Sequence, residues 1–434
     1  MECFFDEEIN RFIDHINSLE STLPLIMLIL YATTKSSEEK LNDFIKENKI
    51  EKINEDRGKS EYKLTFDQLT QFRRLNDQFT NSVISHNILP RSFIVSLVSQ
   101  YDAYIGRLIK TMFYVKPGYL NASEKNLTYS QIVEFASFDD VKEYVIEKEV
   151  ESVLRKSHED QFKWFENKLD MTLRKGLDVW STFIELTERR NLFVHCNGEI
   201  SSQYISVCKE NDVTFDLDCK VGEILNVPRN YFERAYKCIF EIGVKLAHVL
   251  WRKLCPEERE QADLNVNNIC FNLIDSEKYD LAITLLEFAT DFKKFSSEEV
   301  KLMLNINKAQ AYKWLGDNDK CNEILGNFDW SAYSLKFRLA KAVLSEDFKY
   351  ASQLMKRIGI NGEIKKANYR DWPIFKEFRN SNYFLDIYQE LFHEKFEIVD
   401  EEEKGEIVTE IEKKGQIALS DISFEEAAPT KTDD

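Results

Sequence analysis

Arg190, Asn191 and His195 are the residues whose types and spacing could do chemistry together. They lie in the stretch Glu188-Arg189-Arg190-Asn191-Leu192-Phe193-Val194-His195-Cys196-Asn197-Gly198. A cation, a carboxamide and an imidazole fall there within about two turns of an otherwise apolar helix. RNA is cut without a metal when its own 2′-hydroxyl attacks the neighbouring phosphorus. That reaction needs a proton carrier, and histidine titrates near neutrality. It also needs a fixed cation where negative charge develops, for which the arginine fork suits phosphate. A carboxamide can orient either group or hold a phosphate oxygen. Arg190, His195 and Asn191 fit these roles in that order.

The element that must position them is a helix. Trp180, Phe183, Ile184, Leu186 and Thr187 follow the three-and-four spacing of a helical face, and the period runs on through Asn191, Val194 and His195. Asn191 and His195 are four apart and share a face, about 40° from each other. Arg190 and His195 are five apart, about 140° around the axis. A long arginine can partly close that gap, or a second copy of the helix can supply the missing group across a two-fold axis. Gly198 suits the helix end, and His195 sits in the last turn, where the helix dipole favours a cation. The plain alternative is a buried helix end, with Arg190 paired to a nearby acid and His195 satisfying a local carbonyl.

The run Arg190-Asn191-x-x-x-His195 resembles the Arg-x(4–6)-His motif of HEPN-domain ribonucleases, including the polar residue after the arginine. The resemblance covers roughly residues 88–255. It implies an all-α bundle that dimerises, so that two motif helices build one composite, metal-independent site. It also implies a place in toxin–antitoxin, abortive-infection or CRISPR-linked defence. Members often carry an acid on their first core helix near the arginine and histidine. Asp102 is the candidate here, beside the stripe Ile94, Leu97, Val98, Tyr101, Ile105, Leu108 and Met112. One subgroup carries a modifiable tyrosine two positions after the histidine; this chain has Asn197 there.

The chain has 434 residues, with 58 Lys and Arg against 76 Asp and Glu, for a net charge of −18. That excludes a protein coating nucleic acid by bulk charge. The acidity is uneven: residues 91–255 hold 23 basic against 24 acidic side chains, so a local cationic cleft remains open to them. Arg107, Lys110, Arg174, Lys175, Arg189 and Arg190 are its possible contributors. With 31 Phe and 18 Tyr against 13 Gly and 7 Pro, helices are favoured over a turn-rich β fold. The eight cysteines form no Cys-x-x-Cys pair and no zinc spacing. No metal and no cofactor are expected. Glu2, Asp6, Glu7 and Glu8 give the first residues the wrong charge for a signal peptide, so a cytoplasmic protein with reduced thiols is expected.

The run from Leu23 to Ala32, about ten residues, is too short to span a bilayer; a buried helix is expected, and no membrane partner. Residues 36–60 are charged and predicted to include a loop. A helix is predicted over 64–85, and Pro90 suits the first turn of the next. The motif helix is predicted from about Met171. Tyr204 to Val207 and Val213 to Phe215 are predicted to pair as a short β excursion. Tyr231, Ala235, Cys238, Ile239, Ile242, Leu246, Val249 and Leu250 are the core candidates of a helix over 230–254, with His248 packed among them.

Beyond Pro256 the chain resembles tetratricopeptide-like (TPR-like) helical hairpins. The carrying segments are Glu277-Lys-Tyr279-Asp-Leu-Ala282 with Ala289, Asn307-Lys-Ala309-Gln-Ala311-Tyr312-Lys-Trp-Leu315-Gly316-Asp317, and Glu346-Asp-Phe348-Lys-Tyr-Ala351. The turns recur at about 39 and about 30 residues, so the array is degenerate. Stacked hairpins leave a concave surface suited to a protein or peptide partner. The expected organisation is an N-terminal helical region over 1–87, a HEPN-like domain over 88–255, a TPR-like domain over 256–396 and an acidic disordered tail over 397–434. RNA as substrate and a homodimer are the expected partners. The rival expectation is a non-catalytic helical scaffold or sensor for another effector.

Overall fold

The computed structural model describes residues 4–56, 59–122, 127–214 and 219–397. Apart from Glu397, the expected tail lies outside the described residues. Among those residues the chain forms 17 α-helices and one two-stranded antiparallel hairpin, so the fold is all-α. It divides into two compact units. One packs the chain up to Leu273 with Asp280–Leu304; the other comprises Ile274–Tyr279 and the chain from Asn305 on.

The first unit is built on two long helices, α1 (Phe5–Glu47) and α2 (Phe66–Val115), joined by β1 (Glu51–Asp56) and β2 (Lys59–Lys63). Shorter helices follow: α3 (Tyr129–Ile132), α4 (Phe138–Leu154), α5 (His158–Leu169), α6 (Trp180–His195), α7 (Ser202–Glu210), α8 (Arg229–Leu254), α9 (Arg259–Asp275) and α10 (Tyr279–Thr290). Serines start three of them: the hydroxyls of Ser137, Ser157 and Ser201 accept from Asp140, Asp160 and Tyr204 amides and satisfy donors that a helix start leaves open. All seven side chains of the expected α2 stripe are buried, and so are Ile239, Ile242, Leu246 and Leu250 of α8. Phe5, Ile9, Phe12 and Ile16 of α1, at three- and four-residue spacing, close the core over them. Phe12 stacks on Tyr104 at 4.1 Å. It fits because Gly243 stands opposite: a Cβ there would lie 2.4 Å from the Phe12 ring.

α1 and α2 run antiparallel in one register. Glu8 meets Arg107, Phe12 meets Tyr104, His15 meets Gln100, and Gln68 reaches the Asn48 carbonyl. This hairpin corrects two expectations and fills in a third. The Leu23–Ala32 run is not buried: Leu23 is, but Leu25, Leu28 and Tyr31 are 63%, 62% and 61% exposed, because only one side of α1 meets α2. By length and composition α1 is long and apolar enough to cross a membrane. The charged stretch after Ser36 is helical to Glu47 and then turns through the β hairpin. Pro90 does not open a helix; α2 passes through it. Proline's fixed φ is helical, and the ladder loses one donor there.

Three further expectations are corrected. The motif helix begins at Trp180 rather than Met171; left-handed Asp170 (φ 49°) and Gly176 (φ 81°) keep the approach irregular. Residues 204–207 are helical within α7, where Tyr204 and Cys208 at i and i+4 are both buried, so helical spacing wins over β propensity. Phe215 lies outside the described residues. Val249 is half-buried at the edge of the α8 core, whereas His248 is packed inside as expected. Cys196, Cys208, Cys219, Cys238, Cys270 and Cys321 are free thiols; Cys255 is disulfide-bonded, a pairing that folding creates and spacing does not reveal.

Contacts continue past Pro256. Arg252 of α8 pairs with Asp263 of α9 at 2.5 Å, and Asp263 also accepts from the Ser296 amide and hydroxyl at 2.7 Å. α11 (Glu298–Trp314) enters the second unit at Asn305. That unit continues through α12 (Asn318–Gly326), α13 (Leu335–Leu344), α14 (Phe348–Ile358), α15 (Lys366–Asp371), α16 (Lys376–Arg379) and α17 (Asn382–Phe392). The three expected turns are turns, each with a left-handed residue: Glu277 (φ 58°), Gly316 (φ 93°) and Glu346 (φ 58°). Ala309, Ala311 and Ala351 are buried where their helices approach neighbours. Lys313 is buried against Glu346 (2.7 Å) and Glu377 (3.2 Å), with the Leu344 carbonyl at 3.0 Å.

Candidate active site

α6 is clamped in the first unit by Phe183, Ile184, Leu186 and Leu192, all buried. Its two faces carry different networks, because neighbouring residues point about 100° apart.

Arg190 turns toward α2. Its Nη2 donates to Asp102 Oδ2 at 2.5 Å, and its Nη1 to Asn191 Oδ1 at 3.1 Å. Asp102 Oδ1 accepts in turn from His158 Nε2 at 2.8 Å. The His158 ring lies edge-on to Phe183 at 5.6 Å and tilted to Tyr101 at 6.2 Å. Both groups on Asp102 are partly shielded, with side chains 22% and 11% exposed for Arg190 and His158. Water therefore screens these charge-assisted contacts less than surface pairs. Arg190 Nε is buried and finds no hydrogen-bond partner among the described residues. One turn back, burial raises the Glu188 carboxyl above its ordinary range, with His158 and Asn191 opposing the shift.

The structure thus brings Arg190, Asn191 and Asp102 together, and adds His158. Nothing near His158 marked it in the sequence, since its partner is 56 residues away. The one local signal is Ser157 followed by Asp160, which starts a helix and fixes His158 as its first residue.

His195 stands apart from this cluster. It is the last residue of α6, exposed, and makes no hydrogen bond or ion pair among the described residues. Beyond it the chain reverses through left-handed Asn197 (φ 49°) and Gly198 (φ 82°), whose amide donates to the Leu192 carbonyl at 3.0 Å. Arg91 of α2 fixes this turn, donating to the Asn197 carbonyl (3.0 Å) and to Asn226 Oδ1 (3.1 Å). Within one chain Arg190 and His195 therefore occupy different faces.

The other face of α6 is occupied by structure. Glu185 is buried and accepts from Arg189 Nε (2.6 Å), Tyr204 (2.6 Å) and Tyr231 (2.8 Å). The Arg189 guanidinium lies 3.8 Å over the Tyr231 ring. Burial, with the Glu185 charge beside them, drives the Tyr204 and Tyr231 hydroxyls well above their usual range. A cavity of about 460 Å³ adjoins this network, lined in part by Ser181, Asn226, Asn230 and Arg234. The basic residues named as cleft contributors are largely spoken for. Arg107 pairs with Glu8, Lys110 with Glu143, Arg174 with Glu159 and Glu166, and Arg189 with Glu185. Lys175 is exposed.

Among the described residues, no group of three or more His, Cys, Asp and Glu is placed to hold a metal ion. No protein family, curated protein or solved structure matches the chain.

Proposed function

We propose that this protein is an endoribonuclease of HEPN type, cutting RNA through attack of the 2′-hydroxyl on the adjacent phosphorus. The observation that carries the reading is Asp102 holding Arg190 beside Asn191 at 2.5 Å, with His195 exposed at the end of the same helix. Arg190 neutralises the charge that builds on the phosphoryl oxygens, and its unpaired Nε is a donor left over in the resting site. Asn191 orients that guanidinium. His195 moves the proton between the 2′-oxygen and the leaving 5′-oxygen. Because Arg190 and His195 lie on different faces of α6, the complete site is composite: two copies of α6 in a homodimer each supply part of it. Asp102 and His158 are positioning residues. The helical hairpins of the second unit, TPR-like in pattern, offer a surface for a protein or peptide that triggers or restrains cleavage. The setting is cytoplasmic, in antiviral defence or toxin-like growth arrest, with tRNA or another structured RNA as substrate.

The test is total RNA from cells induced to express the chain, alongside purified protein acting on RNA in EDTA. Fragments ending in a 2′,3′-cyclic phosphate, absent from Arg190→Ala and His195→Ala, are expected. Intact RNA with every preparation sinks the proposal.

A second reading has its own observation. Arg190 is already neutralised by Asp102, which is also how a purely structural ion pair looks. The chain would then be a helical interaction protein serving another effector. On that reading both alanine variants keep the full biological effect.

A further inference from the structure

The cavity of about 460 Å³ beside α6 has a wall rich in N–H donors that the chain leaves unused. Two helix starts meet there. Ser181 and Thr182 lie in the first turn of α6 and Asn230 in the first turn of α8, and all three line the cavity. Neither start is capped by a side chain, because Val179 and Pro228 hold the cap positions. The amides of Ser181, Thr182 and Asn230 donate to no group among the described residues. A helix start leaves such amides open, and its dipole adds positive potential.

Arg189 brings a fixed cation to the same wall. Its side chain is 13% exposed and lies 3.8 Å over the Tyr231 ring, so its direction is set. Nε donates to Glu185 and Nη1 to the Asn226 carbonyl, while Nη2 has no acceptor among the described residues. Arg234 stands at the exposed rim, 5.9 Å from the same ring. The acceptors nearby are committed. Glu185 takes three donors, and the Asn226 side-chain oxygen takes Arg91. Glu223 is exposed and accepts from the Lys220 amide. The rest of the wall includes apolar Ile200, Val213, Ile224 and Leu225.

We infer that this cavity binds a small carboxylic acid. Its carboxylate sits at the starts of α6 and α8, near Arg189 and Arg234, and its apolar body lies along Ile200, Val213 and Leu225. Unused donors call for a ligand that accepts, and a helix start favours an anion. Charge then sets the head group. Glu185 and Glu223 formally balance Arg189 and Arg234, so one negative charge is met by amides and dipoles, whereas a doubly charged phosphate would face two carboxylates. A cation would find only Glu223 to meet it. The volume is at the small end for ligand pockets. The cavity lies on the Arg189 face of α6 rather than the Arg190 face, so the inference does not rest on the ribonuclease reading, and its test reads binding rather than cleavage.

The experiment is equilibrium dialysis of the full chain against 4-phenylbutyrate, its neutral amide 4-phenylbutanamide, and phenyl phosphate. Wild type is compared with Arg234→Glu, Ser181→Asp and Lys237→Glu. Ser181→Asp sets a carboxylate where the ligand's belongs, at a helix start that favours acid. Lys237 lies one turn further along α8 and outside the cavity wall. Unchanged circular dichroism shows that the variants are folded. Saturable binding of the acid is expected, with the amide weaker by about tenfold or more. Both cavity variants should weaken the acid by a similar factor, and Lys237→Glu should bind it like wild type. No binding of the acid, equal binding of acid and amide, or wild-type affinity in either cavity variant overturns the inference. Phenyl phosphate binding roughly tenfold tighter than the acid overturns it in favour of a phosphate ester.

Discussion

Asp102 on α2 holds Arg190 on α6 through a 2.5 Å contact, across 88 residues of chain, while its other oxygen accepts from His158 of α5 at 2.8 Å. One carboxylate thus ties together three helices of the first unit, and the orientation of Arg190 depends on it.

If Arg190 is the fixed cation of the site, its supports should show in cleavage kinetics. Asp102→Asn keeps the shape but weakens the grip on both partners. Cleavage of a defined oligonucleotide should fall roughly 10- to 100-fold, as for lost supports of other catalytic ligands. His158→Ala should give a smaller fall in the same direction, and His158→Gln, which can still donate to Asp102, should recover part of it. Wild-type rates in Asp102→Asn would remove Arg190 from the chemistry.

Glu185 should matter for folding rather than chemistry. It takes three hydrogen bonds in a buried position, and Glu185→Ala strands Arg189 without its counter-charge. Loss of such a partner costs about 3–5 kcal/mol, read as a shift in urea midpoint at constant slope. Tyr204→Phe, which removes one donor, should cost about 1 kcal/mol. A neutral Glu185→Ala would show that the network is dispensable.

Gly243 sets how closely α1 and α8 approach. Gly243→Val places methyl groups inside the Phe12 ring position and should cost roughly 1–3 kcal/mol by overpacking. Phe12→Leu in the same chain should return part of that stability. Additive losses in the double variant would mean that the two residues do not share the space.

His248 predicts a pH dependence of stability. Burial, with Arg252 beside it, pushes its pKa down to about 3. The unfolded chain takes up the proton below about 6.5 and the folded chain does not. The full contribution is therefore present above that pH and is lost as pH falls toward 3. Between pH 7 and pH 5 this one group should remove about 2 kcal/mol of unfolding free energy. His248→Gln should flatten the slope by that amount in urea titrations at the two pH values; an identical slope would contradict it.

Much of the architecture was legible in the sequence. The α2 stripe and the α8 core follow from spacing, and the turns at Glu277, Gly316 and Glu346 from the hairpin-like segments around them, although only Gly316 is a residue that favours left-handed backbone. Asp102 as a partner for Arg190 or His195 came from the family resemblance, which implies an acid on the first core helix, and folding pairs it with Arg190. His158 was not legible, since only folding places the first residue of α5 beside α2. Nor was the exposure of Leu25 and Leu28: periodicity shows that a face is apolar, not what stands opposite it. Pro90 misled because a proline inside a helix forfeits only one donor when packing holds both sides.

Pro24 and Pro90 interrupt the backbone ladders of α1 and α2 at nearly the same height, beside buried Leu23 on α1 and Ile94 on α2. Two missing donors at one level leave both backbone ladders short of a hydrogen bond at the same height. Amides of residues 26–47, mostly on exposed helix, should exchange with solvent faster than those of residues 5–16, whose buried side chains join the core.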